Sequence, residues 1–154
     1  MSNHLRQAIS HSLGHNQTSN RLMACHSLIR ETGPLVSLAL RSCELTAEEL
    51  VALSKLFRHS KPQASQLKSF SISYNEQIGD EAFCQLLTAL PPSVDTIGAV
   101  GCALTDESLT AIDDWLTTAS NLQMVCIENN LFSTESKQLL QATAGKKQGL
   151  LLVI

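Results

Sequence analysis

The chain has 154 residues, 44% of them hydrophobic and 16% charged, which suits one domain and leaves no room for a second sizeable core. A formal charge of -3 with a pI of about 5.9 gives no cationic field for a phosphate backbone beyond local spots such as Arg58, His59 and Lys61. Aromatic residues at 4% are too few for a module that reads bases by stacking, so nucleic acid is excluded as the expected partner.

Residues 1–13 alternate polar and apolar side chains, and no stretch reaches bilayer length, which argues against a signal peptide and a membrane span. Five cysteines (Cys25, Cys43, Cys84, Cys102, Cys126) form no CxxC pair and fit a reducing compartment. The expected location is therefore cytoplasmic, with export as an effector lacking a classical signal peptide as the alternative. The Asn16-Gln17-Thr18 sequon reads as a chance match.

In chain order, Leu5, Ala8, Ile9 and Leu13 form one apolar helical stripe stopped at Gly14. Leu22, Cys25, Leu28 and Ile29 form a second, stopped at Gly33-Pro34. From Leu35 onward self-similarity takes over: segments beginning at Leu35, Leu67, Val94 and Leu122 align, with starts 32, 27 and 28 residues apart, and a fixed period marks a stacked architecture. Their first, fourth and sixth positions are apolar: Leu35, Leu38, Leu40; Leu67, Phe70, Ile72; Val94, Ile97, Ala99; Leu122, Val125, Ile127. Alternation at the fourth and sixth is strand periodicity. The ninth position is Cys43, Asn75, Cys102 or Asn130, followed by Leu45, Ile78, Leu104 or Phe132. A small side chain there sits under the turn leaving the strand and bonds backbone groups the bend would otherwise orphan.

A helix signal follows each strand. Thr46 with Glu49 makes a capping box ahead of Leu50, Leu53, Leu56 and Phe57. Gly79-Asp80-Glu81 precedes Phe83, Leu86, Leu87 and Leu90, with Pro91-Pro92 as the stop. Thr105, Asp106 and Glu107 start the helix carrying Leu109, Ile112, Trp115 and Leu116. The fourth helix starts at Ser133 and keeps Leu139 and Leu140, but Lys137 stands where Leu50 and Leu109 stand, so it is expected to be less buried. Leu150, 28 residues after Leu122, opens an expected fifth strand with Leu150 and Val153 inward.

The pattern LxxLxLxx(N/C)xL, repeats near 28 residues with a helix in each, and Cys alternating with Asn at the ninth position resemble the leucine-rich repeats of the ribonuclease-inhibitor-like class. CELTAEEL and CALTDESL, two repeats apart, are closely matched. Departures are the residue inserted between Asn75 and Ile78, Ala99 in a large-residue place, and the long 57–66 loop of the first repeat. The resemblance implies an α/β leucine-rich-repeat solenoid, a short right-handed β/α horseshoe with a parallel sheet on its concave face and helices on its convex face. The implied organisation is a helical cap at 1–34, four repeats over 35–143 (35–66, 67–93, 94–121 and 122–143), and a capping strand at 144–154. This class also occurs in sensor regions of innate immune receptors and in bacterial effectors, and it implies protein binding without naming what is bound.

Strand residues at the third, fifth and seventh positions point out of the core. They are Ser37, Ala39, Arg41; Ser69, Ser71, Ser73; Thr96, Gly98, Val100; and Met124, Cys126, Glu128, with Leu152 and Ile154 added by the expected fifth strand. This face turns apolar toward the C-terminus, and a contiguous exposed apolar patch marks an interface, unless the last strand is displaced or covered by residues 144–148. The candidate protein-binding residues are Arg41, Tyr74, Val100, Met124, Cys126, Glu128, Leu152 and Ile154, with Tyr74 and Asn129 at strand ends. Self-association through exposed terminal strands, giving a homo-oligomeric structural protein, is the alternative.

Catalysis is not expected. Cys43 and Cys102 are accounted for by the repeat, Asp113-Asp114 point about 100° apart on a helix and read as a solvated face, and HExxH, GxSxG and phosphate-loop motifs are missing. His4, His11 and His15 could share one helix face, but Gly14 falls before His15, so neither metal nor cofactor is expected.

Overall fold

The computed structural model describes residues 3–14, 18–60, 64 and 66–154; His15, Asn16, Gln17 and Lys61 lie outside the described residues. Two helices come first, α1 (Asn3–Leu13) and α2 (Ser19–Arg30). Then strand and helix alternate: β1 (Ser37–Ala39), α3 (Ala47–His59), β2 (Ser69–Ser71), α4 (Gly79–Ala89), β3 (Thr96–Gly98), α5 (Leu109–Thr118), β4 (Met124–Cys126), α6 (Thr134–Gly145) and β5 (Leu151–Val153). A single 3₁₀ turn, Asp106–Ser108, leads into α5.

All five strands are parallel and ordered β1-β2-β3-β4-β5. Leu38, Phe70, Ile97 and Val125 lie directly across from one another, as their shared phase predicts. These side chains and those of the sixth positions are buried against one layer of helices that supplies Leu50, Leu53, Phe57, Phe83, Leu86, Ile112, Leu116 and Leu140. Burial of an aliphatic side chain of this size stabilises by about 1.5–3 kcal/mol, and only neighbouring units supply the partners. Ahead of β1, Leu5, Ile9 and Leu13 of α1 join the same core.

Helix entries follow the sequence signals with one exception. The hydroxyls of Thr46, Thr105 and Ser133 accept from Glu49, Glu107 and Ser136 backbone N–H groups. The predicted capping box at Thr46 is only half formed, because the Glu49 carboxylate turns instead to Arg21 at 2.6 Å. Gly79 enters α4 at φ +75, a conformation that other side chains resist. Before Pro91, Leu90 is extended, and α4 ends there.

Three expectations are corrected. On α2 the buried residues are Arg21 and Leu28, whereas Leu22 and Ile29 are exposed; a charged residue takes the inward place because backbone acceptors surround it. On α6 Leu140 is buried and Leu139 exposed. The third correction concerns β5. Its register pairs Met124 with Leu151, Val125 with Leu152 and Cys126 with Val153, one residue away from the expected alignment. A one-residue slip exchanges the two faces of a strand. Leu152 and Ile154 therefore pack against the core, while Leu151 and Val153, 52% and 36% exposed, take the open face. The observed phase sets two large side chains beside Val125 and Ile127, where the expected one would set only Val153. Gly149, at φ +82, completes the turn that delivers it.

The ninth-position side chains lock the units together. Asn75, 2% exposed, accepts from Cys43 and Leu45 N–H at 3.1 and 2.8 Å and donates to the Leu40 and Ile72 carbonyls at 2.8 and 2.7 Å. Asn130 repeats the arrangement one pair of units later, accepting from Cys102 and Leu104 and donating to Ala99 and Ile127. Between them the Cys102 thiol donates to Ile72 and Val100 carbonyls. At that seam Asp80 adds a carboxylate that accepts from the Thr105 backbone and hydroxyl and from the Ser108 hydroxyl. Asp106 does the same at the next seam, accepting from Ser133 N–H, and this contact holds its carboxyl below the usual range. We expect Asn130→Ala to destabilise by about 1–3 kcal/mol in urea melts, the usual consequence of unpairing buried backbone groups. Cys102→Ser is expected to be milder, since a hydroxyl can still donate to Ile72.

Candidate functional site

Helices cover one face of the sheet, and the other carries three rows of side chains. Third positions give Ser37, Ser69, Thr96, Met124 and Leu151; fifth positions give Ala39, Ser71, Gly98, Cys126 and Val153. Seventh positions, just past the strands, give Arg41, Ser73, Val100 and Glu128. Of the predicted residues, Arg41, Val100, Met124, Cys126 and Glu128 lie on this face and Tyr74 stands at its rim, whereas Leu152 and Ile154 do not. Sequence reasoning misses Leu151 and Val153 because five successive apolar residues carry no alternation to fix their phase.

The rim is built by an unusual backbone. Ser42, Tyr74, Gly101 and Asn129, one after each of β1 to β4, have φ between +51 and +61. Only glycine and, to a lesser degree, asparagine adopt this region readily. Tyr74 is held there by neighbours: the Arg41 guanidinium lies 5.3 Å from its ring centroid, and a side chain at Gly101 would meet the ring at 3.1 Å. Asn129 turns outward, exposed.

Two zones differ in character. Met124, Leu151 and Val153 are exposed and apolar and sit side by side on β4 and β5, next to Cys126. Toward β2 and β3 the surface dips into a cavity of about 280 Å³ lined by Ser71, Ser73, Gly98, Val100, Cys126 and Glu128, with Arg41 and Tyr74 at its rim. A Cβ on Gly98 would meet the Ser71 and Ser73 hydroxyls at 3.1 and 3.2 Å, so the depression exists because position 98 has no side chain.

The thiols are electrostatically quiet. Burial pushes Cys43, Cys84, Cys102 and Cys126 up, and at Cys126 the nearby Glu128 charge pushes further in the same direction. Cys43 and Cys102 act as donors to backbone carbonyls. Asp113 accepts from Thr143 and so ties α5 to α6, while Asp114 is exposed. His4 and His11 are both exposed on α1, and among the described residues no three metal-binding side chains converge.

No protein-family model matches the chain, and no curated protein sequence is significantly similar to it. Solved structures do match. Leiomodin-1 actin-binding site 2 superposes with a TM-score of 0.67 at 10% identity, covering 97% of this chain and 76% of that one. The likeness is one of fold. In the yeast Rad7 and Elc1 complex a chain matches with a TM-score of 0.63 at 15% identity over 99% of this chain, which spans only 39% of that chain's length. A chain of the Chaetomium Mex67:Mtr2 structure matches at 0.54 and 14% identity, covering 76% of this chain and 78% of that one. No helix among the described residues is long and apolar enough to cross a membrane.

Proposed function

We propose that the chain is a leucine-rich-repeat solenoid of the ribonuclease-inhibitor-like kind and works as a protein-interaction module, receiving a partner protein on the concave face of its sheet rather than catalysing a reaction. The observation that carries this reading is the apolar group formed by Met124, Leu151 and Val153, side by side and exposed on one side of the uncovered sheet face. The asparagine and cysteine brackets at Asn75, Cys102 and Asn130 support the repeat assignment. The structural neighbours add support of a general kind, since one is named for actin binding and two come from complexes.

Pairing of two copies through β5 is the second reading, because that strand ends the sheet with no strand on its outer side among the described residues and carries Leu151 and Val153. Light scattering after size exclusion separates the two, as a dimer that dissociates on dilution supports self-pairing and a concentration-independent monomer opposes it. The test of the leading reading is Met124→Glu with Leu151→Glu. This pair is expected to leave the circular dichroism spectrum and melting temperature nearly unchanged and to abolish affinity capture of the partner, while Thr117→Glu on the helical side leaves capture intact. Capture that survives the double substitution overturns the proposal.

A further inference from the structure

Glu128 closes the cavity beside Val100 and Cys126, and its Oε2 atom is buried with no hydrogen-bond partner among the described residues. A buried, unpaired carboxylate oxygen is unfavourable. The cation on the same row cannot relieve it: Arg41 is three strands away, about 14 Å at ~4.8 Å per strand, and lies over Tyr74. Neither ion pair among the described residues involves Glu128.

Resting on the protein-binding reading above, we infer that this cavity receives a lysine or arginine side chain of the partner, with Glu128 as its counterion. Its volume of about 280 Å³ is on the scale of one long side chain. The chemistry of the walls fits the same occupant. Val100 offers an apolar surface for a methylene stem, the Ser71 hydroxyl can accept from its polar head, and Glu128 supplies the charge. Gly98 leaves the space open, and any larger residue there would fill it. Arg41 at the far rim repels a second basic group, so a partner segment is oriented with its basic residue toward β4. A metal ion is disfavoured because no group of three or more ligating side chains gathers around Glu128 among the described residues.

The probe is a pair of short peptides, acetyl-Ala-Ser-Arg-Ser-Ala-amide and the same peptide with citrulline in place of arginine, which keeps the shape and removes the charge. Titration at millimolar concentration is followed by amide ¹H–¹⁵N spectra. The arginine peptide is expected to give saturable shifts at Gly98, Val100, Gly101 and Glu128, with affinity about tenfold above the citrulline peptide, and Glu128→Gln is expected to abolish that preference. Missing shifts, equal binding of the two peptides, or a preference that survives in Glu128→Gln overturns the inference. Partner capture keeps this failure distinct from that of the interaction reading. Capture lost in Met124→Glu with Leu151→Glu but untouched in Glu128→Gln sinks the basic-side-chain site alone, and capture untouched in both sinks the two together.

Discussion

Replacing Arg21 by alanine is expected to destabilise the fold by about 3–5 kcal/mol, since three backbone carbonyls lose their donor at roughly 1–3 kcal/mol each where they are buried. Arg21 is 1% exposed on α2 and donates to the carbonyls of Leu13, Cys43 and Glu44 at 3.1, 3.1 and 2.9 Å and to the Glu49 carboxylate at 2.6 Å. One planar guanidinium thus ties together the end of α1, the turn after β1 and the start of α3. Glu49 is itself 21% exposed in its side chain, so water can compensate it, and most of the loss comes from the three carbonyls. Arg21→Lys should recover only a fraction, since a single ammonium cannot reach acceptors spread around a fork. Urea melts check this, and an Arg21→Ala midpoint close to the unsubstituted protein's would refute it.

Asn75→Ala is expected to be nearly as damaging, about 3 kcal/mol, and more so than Asn130→Ala. Both asparagines join two units, but Asn75 is fully enclosed and Asn130 only partly so. Alanine at 75 removes the partner that the N–H groups of Cys43 and Leu45 and the carbonyl of Leu40 find in Asn75, and leaves the Ile72 carbonyl only the Cys102 thiol. Asn75→Cys should fall between, because a thiol can donate to Ile72 and cannot accept strongly from the two amides. A loss in Asn75→Ala below about 0.5 kcal/mol, within the range of ordinary surface substitutions, would mean that the bracket contributes little.

What is legible in the sequence is what repeats. Leu38, Phe70, Ile97 and Val125 share a phase across four segments, and the structure places them in one line. Asn75 and Asn130 are recognisable for the same reason. The run Leu150, Leu151, Leu152, Val153, Ile154 has no phase, since every position is apolar, and the turn before it decides the register. Arg21 is invisible for a different reason: a stripe of apolar residues predicts a buried face only where the core is apolar, and the place α2 points into is lined with carbonyl oxygens. The exposed face is legible as far as β4, which reveals Met124, Cys126 and Glu128 but not Leu151 and Val153. The orphaned oxygen of Glu128 depends on which neighbours come close, which a single strand's pattern does not record.

The brackets also displace the place where opening becomes visible. Asn75 belongs to the second unit but holds amides of the first, and Asn130 belongs to the fourth but holds those of the third. In the repeat architecture proposed above, local opening begins with fraying at the ends. When the last unit frays, the amides beyond its own that lose protection from solvent hydrogen exchange include those of Ala99 and Gly101, held by the Cys126 and Glu128 carbonyls, and those of Cys102 and Leu104, held by Asn130, all one unit upstream. A protection map of this chain is therefore offset from its opening map by one unit, and the amides of Cys43 and Leu45 report on the integrity of the second unit.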